Sequence, residues 1–331
     1  MSILIAGIPG GTHVGHAFFQ AAQEIELSPH FFNCELAYEA PYWLRQLNWR
    51  LRGKYPSKLR DFSEEIVQTC LCTSPKWLLT TGIAPVSHRA LQQIGAMGIQ
   101  RINFSTDDPW NAAHYAPWFF QALPHYDIVF SPRRATVDDL LKLGCSRVEY
   151  LPFGYDPELF YPEPDPTQKN GNIPDVIFAG GADRNRVPYM HALIQAGMSV
   201  DLYGGYWERY SETRFNSRGK ANIQTLRSVL RQAKIALCLV RRANRDGHCM
   251  RTFEVPAVGG CMLTEDTQEH REIFGAEGEA VIYFSTIPEM IEKARWLLVH
   301  DAERQRLSHN AHQLITQGAN TYRDRLKTMI F

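Results

Sequence analysis

Asp246-Gly247-His248-Cys249-Met250-Arg251-Thr252-Phe253-Glu254-Val255-Pro256-Ala257-Val258-Gly259-Gly260, followed by Cys261-Met262-Leu263-Thr264, is the stretch around which the 331-residue chain is organised. Asp246 and Glu254 enclose seven residues. Gly247 has no Cβ and lets the backbone approach a ligand closely. Arg251 offers a planar fork that suits phosphate oxygens. Glu254 falls where a short helix begins, and Pro256 is tolerated only near such a beginning. A helix start presents free N–H groups and a positive dipole end, which suits a pyrophosphate. A carboxylate beside it accepts from a ribose diol. These are the parts of a nucleotide-diphosphate pocket. Taken alone, the same residues also fit a helix that merely caps itself, so the rest of the chain has to decide.

The totals narrow the classes. The length suits two cores better than one, and 44% apolar with 21% charged residues marks a globular chain. Lys+Arg and Asp+Glu are 35 each, so the net charge is zero and no global field draws the chain to nucleic acid. No apolar run reaches the roughly 20 residues of a membrane span. Met1 to Gly7 reads as a first core strand and not as a signal peptide. Seven scattered cysteines without a C-x-x-C pair argue against a disulfide framework and a zinc site, and point to the cytoplasm.

Upstream, Ser2–Ala6 is a strand that ends in Gly7-Ile8-Pro9-Gly10-Gly11-Thr12-His13-Val14-Gly15-His16, before a helical Ala17–Gln23. Strand, glycine turn and helix open a doubly wound α/β domain. The turn is not G-x-G-x-x-G, which disfavours a dehydrogenase. Gly10 and Gly11 fall in this turn. His13 and His16 read as a base or sugar contact, or as loop-surface and helix-start histidines. A strand over Ile99–Ser105 ends in Thr106-Asp107-Asp108-Pro109, paired acids where an α/β site lies, or else a plain turn.

Between them, Tyr42–Arg60 interleaves Trp43, Leu44, Leu47, Trp49, Leu51 and Tyr55 with Arg45, Arg50, Arg52, Lys54, Lys58 and Arg60. On a helix, Trp43, Leu47 and Leu51 form an apolar stripe. The plainer expectation is a helix packed on its own domain with solvated basic flanks. The other is a helix on an anionic membrane or docking a lipid-linked acceptor.

The proline-rich Pro162–Pro174 reads as a linker, after which the α/β pattern restarts. Val176–Ala179 feeds Gly180-Gly181 with Arg184 and Arg186 beside it, a phosphate-cradling arrangement or a plain turn. Val200–Tyr203 feeds Gly204-Gly205-Tyr206-Trp207, whose aromatics stack on a base or close a surface. The spacing predicts helices over Ile287–Val299 and Asp301–Gln317.

Together these residues resemble GT-B glycosyltransferases, and more narrowly the CgeB-like, spore-maturation branch. The resemblance is carried by Arg251–Gly260, Leu263-Thr264-Glu265, Glu272-Ile273-Phe274, Ile282-Tyr283-Phe284, the Pro152–Phe160 stretch and Asp107-Asp108-Pro109. It implies an α/β protein with two Rossmann-like domains facing each other across a cleft: residues 1–160 on the acceptor side, 161–305 on the donor side, and a C-terminal helix, 306–331, returning to the first. It implies a hexosyltransferase-type enzyme of polysaccharide biosynthesis that takes a sugar from a nucleotide sugar such as a UDP-sugar. The acceptor (glycan, lipid-linked or protein) is open.

Glu254 matches the second acid of the family's E-x7-E motif, expected to hold the donor ribose. Asp246 stands for the first and is shorter by one methylene. Gly180, Gly181, Arg184, Arg186, Tyr203, Gly204, Gly247, Arg251 and Thr252 complete the implied donor site, with arginines neutralising the leaving diphosphate. Gly10, Gly11 and His16 are the implied acceptor-side residues, and neither metal nor cofactor is expected. Asp108, with Asp107 beside it, is the implied base, and the E-x7-E likeness favours retention of configuration; His13 is the base candidate if the reaction inverts. An epimerase or hydrolase of the same architecture, or a non-catalytic nucleotide-sugar binder, remains as an alternative. The expected location is the cytoplasm, peripheral at the inner membrane face if residues 42–60 dock there.

Overall fold

The computed structural model describes residues 1–163 and 173–331, so residues 164–172 of the expected linker lie outside the described residues. Two units divide them. The first comprises Met1–Pro152, Ala243–Asp246 and Tyr322–Phe331; the second comprises Phe153–Arg242 and Gly247–Thr321.

The first unit alternates β1 (Ser2–Gly7), α1 (Val14–Glu24), β2 (Ser28–Asn33), α2 (Tyr42–Leu51), α3 (Leu59–Thr73), β3 (Trp77–Thr81), α4 (His88–Ala96), β4 (Gln100–Phe104), α5 (Pro117–Ala122), β5 (Ile128–Ser131), α6 (Val137–Lys142) and β6 (Val148–Tyr150). Its six strands pair in parallel in the order β2-β1-β3-β4-β5-β6. Central strands such as Ile3-Leu4-Ile5-Ala6 and Trp77-Leu78-Leu79 are apolar throughout because both faces are covered. The order reverses between β1 and β3, and ligands of such sheets gather at the carboxyl ends beside the reversal.

The second unit repeats the scheme with β7 (Val176–Ala179), α7 (Val187–Gln195), β8 (Val200–Tyr203), β9 (Ser217–Gly219), α8 (Ile223–Gln232), β10 (Ile235–Cys238), α9 (Arg251–Ala257), β11 (Met262–Glu265), α10 (Gln268–Phe274), β12 (Ile282–Phe284), α11 (Ile287–Val299) and α12 (Asp301–Gln317). Its parallel order is β12-β11-β10-β7-β8-β9, with the reversal between β7 and β10. Both halves are therefore Rossmann-like α/β units, each with its own apolar core.

Several boundaries differ from the sequence expectation. The units part at 152/153, not 160/161, and residues 306–321 stay with the second unit. The reason is that α12 is unbroken and buries Leu307, Ala311 and Ile315. Only the last helix, α13 (Tyr322–Ile330), joins the first unit, where Tyr322 meets the edge of Phe18 at 5.4 Å. The Tyr42–Arg60 segment is not one helix: α2 stops at Leu51, and Gly53 and Lys54, both at positive φ, turn the chain before α3.

Candidate active site

Each unit gathers functional side chains at the carboxyl ends of its strands. In the second unit the loops after β7 and β10 flank the reversal of strand order. Arg251, first residue of α9, donates from Nε to the carbonyl of Ala179, last residue of β7, at 3.2 Å. Its guanidinium also pairs with Glu254 one turn on. Glu254 is 1% exposed, and the Arg251 guanidinium lies against its Oε2. A carboxylate so buried is costly unless donors reach it, and the arginine alone compensates its charge here. Arg251 thus stands between Glu254 and the end of β7, which leads into Gly180 and Gly181.

Two glycines sit at close approaches, and packing against backbone requires the first of them. At Gly204, φ is +137° and a Cβ would strike the carbonyl of Gly180. At Gly247, a Cβ would overlap the Glu269 carboxylate, while the Gly247 carbonyl accepts from Thr267 Oγ1 at 2.5 Å. Tyr203, half-buried at the end of β8, accepts at its carbonyl from Gly180 N–H at 2.8 Å. Ala182 N–H is bonded to the Gly205 carbonyl, and the Gly181 N–H has no backbone partner among the described residues.

Other expected donor contacts are turned inward. Arg186 is buried and spends its fork on the carbonyls of Gly181 (3.2 Å) and Leu239 (3.3 Å), fastening the turn after β7 to the end of β10. Thr252 is fully buried; its hydroxyl meets His270 Nε2 at 3.0 Å and accepts from Cys249 N–H at 3.1 Å. Trp207 is core, with Nε1 on the Gly180 carbonyl at 2.8 Å, so it is not a base-stacking platform. The start of α9 is not the open anion site that its sequence suggests. Thr252 N–H is bonded to Cys249, and those of Phe253 and Glu254 to Met250. The remaining cations are Arg251, the exposed Arg184, and Arg241, half-buried just after β10; the last two have no partner among the described residues. Arg241 carries no signal in the sequence, because Val240-Arg241-Arg242 looks like an ordinary strand end.

In the first unit the loop after β4 meets the short Ala243–Asp246 segment. Asp108 is 1% exposed and held by three donors: Trp110 N–H at 2.9 Å, and Arg245 through Nε at 2.6 Å and Nη2 at 3.1 Å. Arg245 also reaches Asp139 at 2.6 Å. Burial and ion pairing make Asp108 an anchor and leave it poorly placed as a free base. Asp246 is likewise committed: Arg133 Nε donates to it, while the same guanidinium holds the carbonyls of Ser105 (3.1 Å) and Thr106 (2.6 Å). Asp246 therefore belongs to the first unit and not to the donor loop in which the motif puts it.

Asp107 keeps an accessible carboxylate. Its Oδ1 lies 3.3 Å from His114 Nε2 and accepts from Asn244 Nδ2 at 3.3 Å. Asn244 in turn accepts from Asn111 at 2.6 Å. No spacing signal marks His114 in the sequence; only the turn after β4, with His114 N–H on the Asn111 carbonyl at 2.7 Å, brings it back to Asp107. His13, exposed at the N-cap of α1, makes no capping bond, and His16 stacks on Phe19 at 6.5 Å. Gly10 and Gly11 adopt positive φ in the same turn, at the carboxyl end of β1. Among the described residues, no hydrogen bond or ion pair joins this turn to Asp107.

A glycosyl transferase-like family model matches residues 186–330. Among curated proteins, none matches the sequence. Among solved structures, sucrose-phosphate synthase of Thermosynechococcus elongatus is similar over 100% of this chain and 97% of its own, at 11% identity and a TM-score of 0.71. Anabaena HepE in complex with UDP is similar over 100% and 98%, at 12% identity and a TM-score of 0.64. UDP-GlcNAc 2-epimerase of Neisseria meningitidis, bound to UDP-GlcNAc, covers 100% of both chains at 12% identity and a TM-score of 0.53. At such identities the likeness shows the fold, which is the two-domain α/β GT-B fold. Fold and family match together support an enzyme of the glycosyltransferase class.

Proposed function

We propose that the chain transfers a sugar from a nucleoside-diphosphate sugar, with UDP as the nucleotide, to a glycan, lipid-linked or protein acceptor, as a member of the CgeB-like branch. The observation that carries this is the cluster at the β7/β10 reversal: Arg251 between the Ala179 carbonyl and the buried Glu254, with Arg251 and Glu254 inside the family match. A ribose diol would donate to the Glu254 carboxylate beside the Arg251 guanidinium. Arg184, Arg241 and Arg251, with the Gly181 N–H, supply the positive charge that a departing diphosphate needs, so no metal is assigned to that task.

On the first unit, His114 oriented by Asp107 is the proton acceptor for the incoming hydroxyl. Asp108 and Asp246 position these loops through Arg245 and Arg133. Retention is the proposed stereochemical course; it rests on the sequence likeness to E-x7-E enzymes alone, since Asp246 is engaged by Arg133. The proposed compartment is the cytoplasm, where free thiols persist.

A thermal-shift panel of nucleoside diphosphates and nucleotide sugars tests the donor. UDP and UDP-sugars are expected to raise the melting midpoint, because a ligand that binds only the folded state stabilises it by mass action. Indifference to every nucleotide on the panel overturns the proposal. NMR of the product then gives the anomeric configuration. Isomerisation or hydrolysis of the donor without any acceptor assigns the epimerase or hydrolase alternative instead.

A further inference from the structure

We propose that α2 is a docking helix for an anionic lipid surface. Of its residues only Asn48 is fully buried, donating to Ser57 Oγ at 3.0 Å. Tyr42 is 69% exposed, Trp43 67%, Trp49 55% and Leu51 76%, far more apolar surface than a helix packed on its own domain shows. The expected stripe of Trp43, Leu47 and Leu51 does not face the core; only Leu47 is half-buried.

The charge around these side chains selects the partner. Residues 42–60 contain six cations and no acid, on a chain whose net charge is zero. Lys54, Lys58 and Arg60 are spent locally, on the carbonyls of Ala112 and Tyr115, on Glu39 and on Glu64. Arg45, Arg50 and Arg52 have no hydrogen bond or ion pair among the described residues. Tyr42, Arg45, Trp49 and Arg52 stand at helical spacings of three, four and three, so aromatic and cationic side chains share one face. Amphipathic aromatic rings favour the depth of lipid headgroups, and guanidiniums favour anionic ones. No helix among the described residues is long and apolar enough to cross a membrane, so the contact is lateral. It places the enzyme where a lipid-linked acceptor would be found, but does not depend on the donor chemistry.

Co-sedimentation of the full chain with phosphatidylcholine vesicles, with and without about a third phosphatidylglycerol, is the test. Binding is expected only to the anionic vesicles and should weaken as salt shortens the screening length. The variant Arg45→Gln/Arg50→Gln/Arg52→Gln should lose about fivefold in partitioning per guanidinium, roughly a hundredfold in all. Trp43→Ser/Trp49→Ser should also release the protein while keeping its melting midpoint and its UDP-induced shift, since both rings are at the surface. Vesicle binding is read without nucleotide, so it fails or succeeds separately from the donor assignment. Three outcomes overturn the proposal: no binding to anionic vesicles, binding that both variants retain, or a face that instead mediates a dimer or single-stranded oligonucleotide binding lost in the same variants.

Discussion

Arg245 grips Asp108 with two hydrogen bonds, Nε to Oδ2 at 2.6 Å and Nη2 to Oδ1 at 3.1 Å, across 137 residues of chain. Through that fork the loop after β4 and the segment that leaves β10 become one piece of the first unit. Arg133 and Asp246 repeat the device a few residues away.

Removing the fork strands a buried anion. Arg245→Ala is expected to cost about 2–4 kcal/mol in urea unfolding, somewhat below a fully buried pair because the guanidinium is partly in water. Arg245→Lys should recover only part, since an ammonium cannot fill two parallel bonds. A variant as stable as the parent shows that the pair holds nothing together.

The donor cations separate by their bonding. Arg184 has no partner among the described residues, so Arg184→Ala should leave the nucleotide-free melting midpoint unchanged and weaken UDP binding about tenfold by calorimetry. Arg251→Ala should weaken binding at least as much and also lower stability, because Glu254 loses its counter-charge. Unaltered UDP affinity in both variants would remove the arginines from the diphosphate site.

His114→Ala is expected to lower kcat by about 10²–10⁴ with the UDP dissociation constant unchanged. Asp107→Asn, which keeps the shape but weakens the orientation of the ring, should fall in between. Equal turnover in parent and His114→Ala would return the role of base to another group, with His13 the next to examine.

His270 makes stability depend on pH. It is fully buried, its Nδ1 donating to the Glu265 carbonyl at 2.8 Å, and burial pushes its pKa down to about 4. The folded state therefore favours the neutral ring, and between pH ~6.5 and ~4 the unfolded chain binds more protons. Stability from this group is complete above pH ~6.5 and declines as pH falls, by about 3 kcal/mol at most. Burial lowers the pKa of His125 as well, so it acts in the same direction. The readout is accordingly the difference between parent and His270→Gln in urea midpoints across that window, where the variant should show a flatter decline. Parallel curves for the two proteins would remove His270 as the cause.

The proposed donor side rests on patterns that the sequence already shows. Gly180-Gly181 after an apolar strand, and Arg251 three residues before Glu254, are local patterns, and local geometry alone brings them near one another or to a strand end. What the pattern misjudges is direction. Arg186 and Thr252 look like ligand contacts in one dimension, yet both point into the unit, because buried carbonyls and His270 claim their donors. The tip of α9 looks open in sequence, but its N–H groups close on the preceding turn.

The sequence by itself determined the two α/β halves, since runs of apolar strand residues between amphipathic helices leave little else for parallel sheets to do. It also determined the cationic glycine turns of the second half. Only the tertiary structure decided the fate of the acids. Asp108 and Asp246 were bound by Arg245 and Arg133, and Asp107 was brought to His114, because pairing of buried charge is settled by which loops meet at the carboxyl ends of the strands. It likewise decided that α2 turns its tryptophans outward: periodicity marks an apolar face, but only the neighbours available to that face determine whether it is covered.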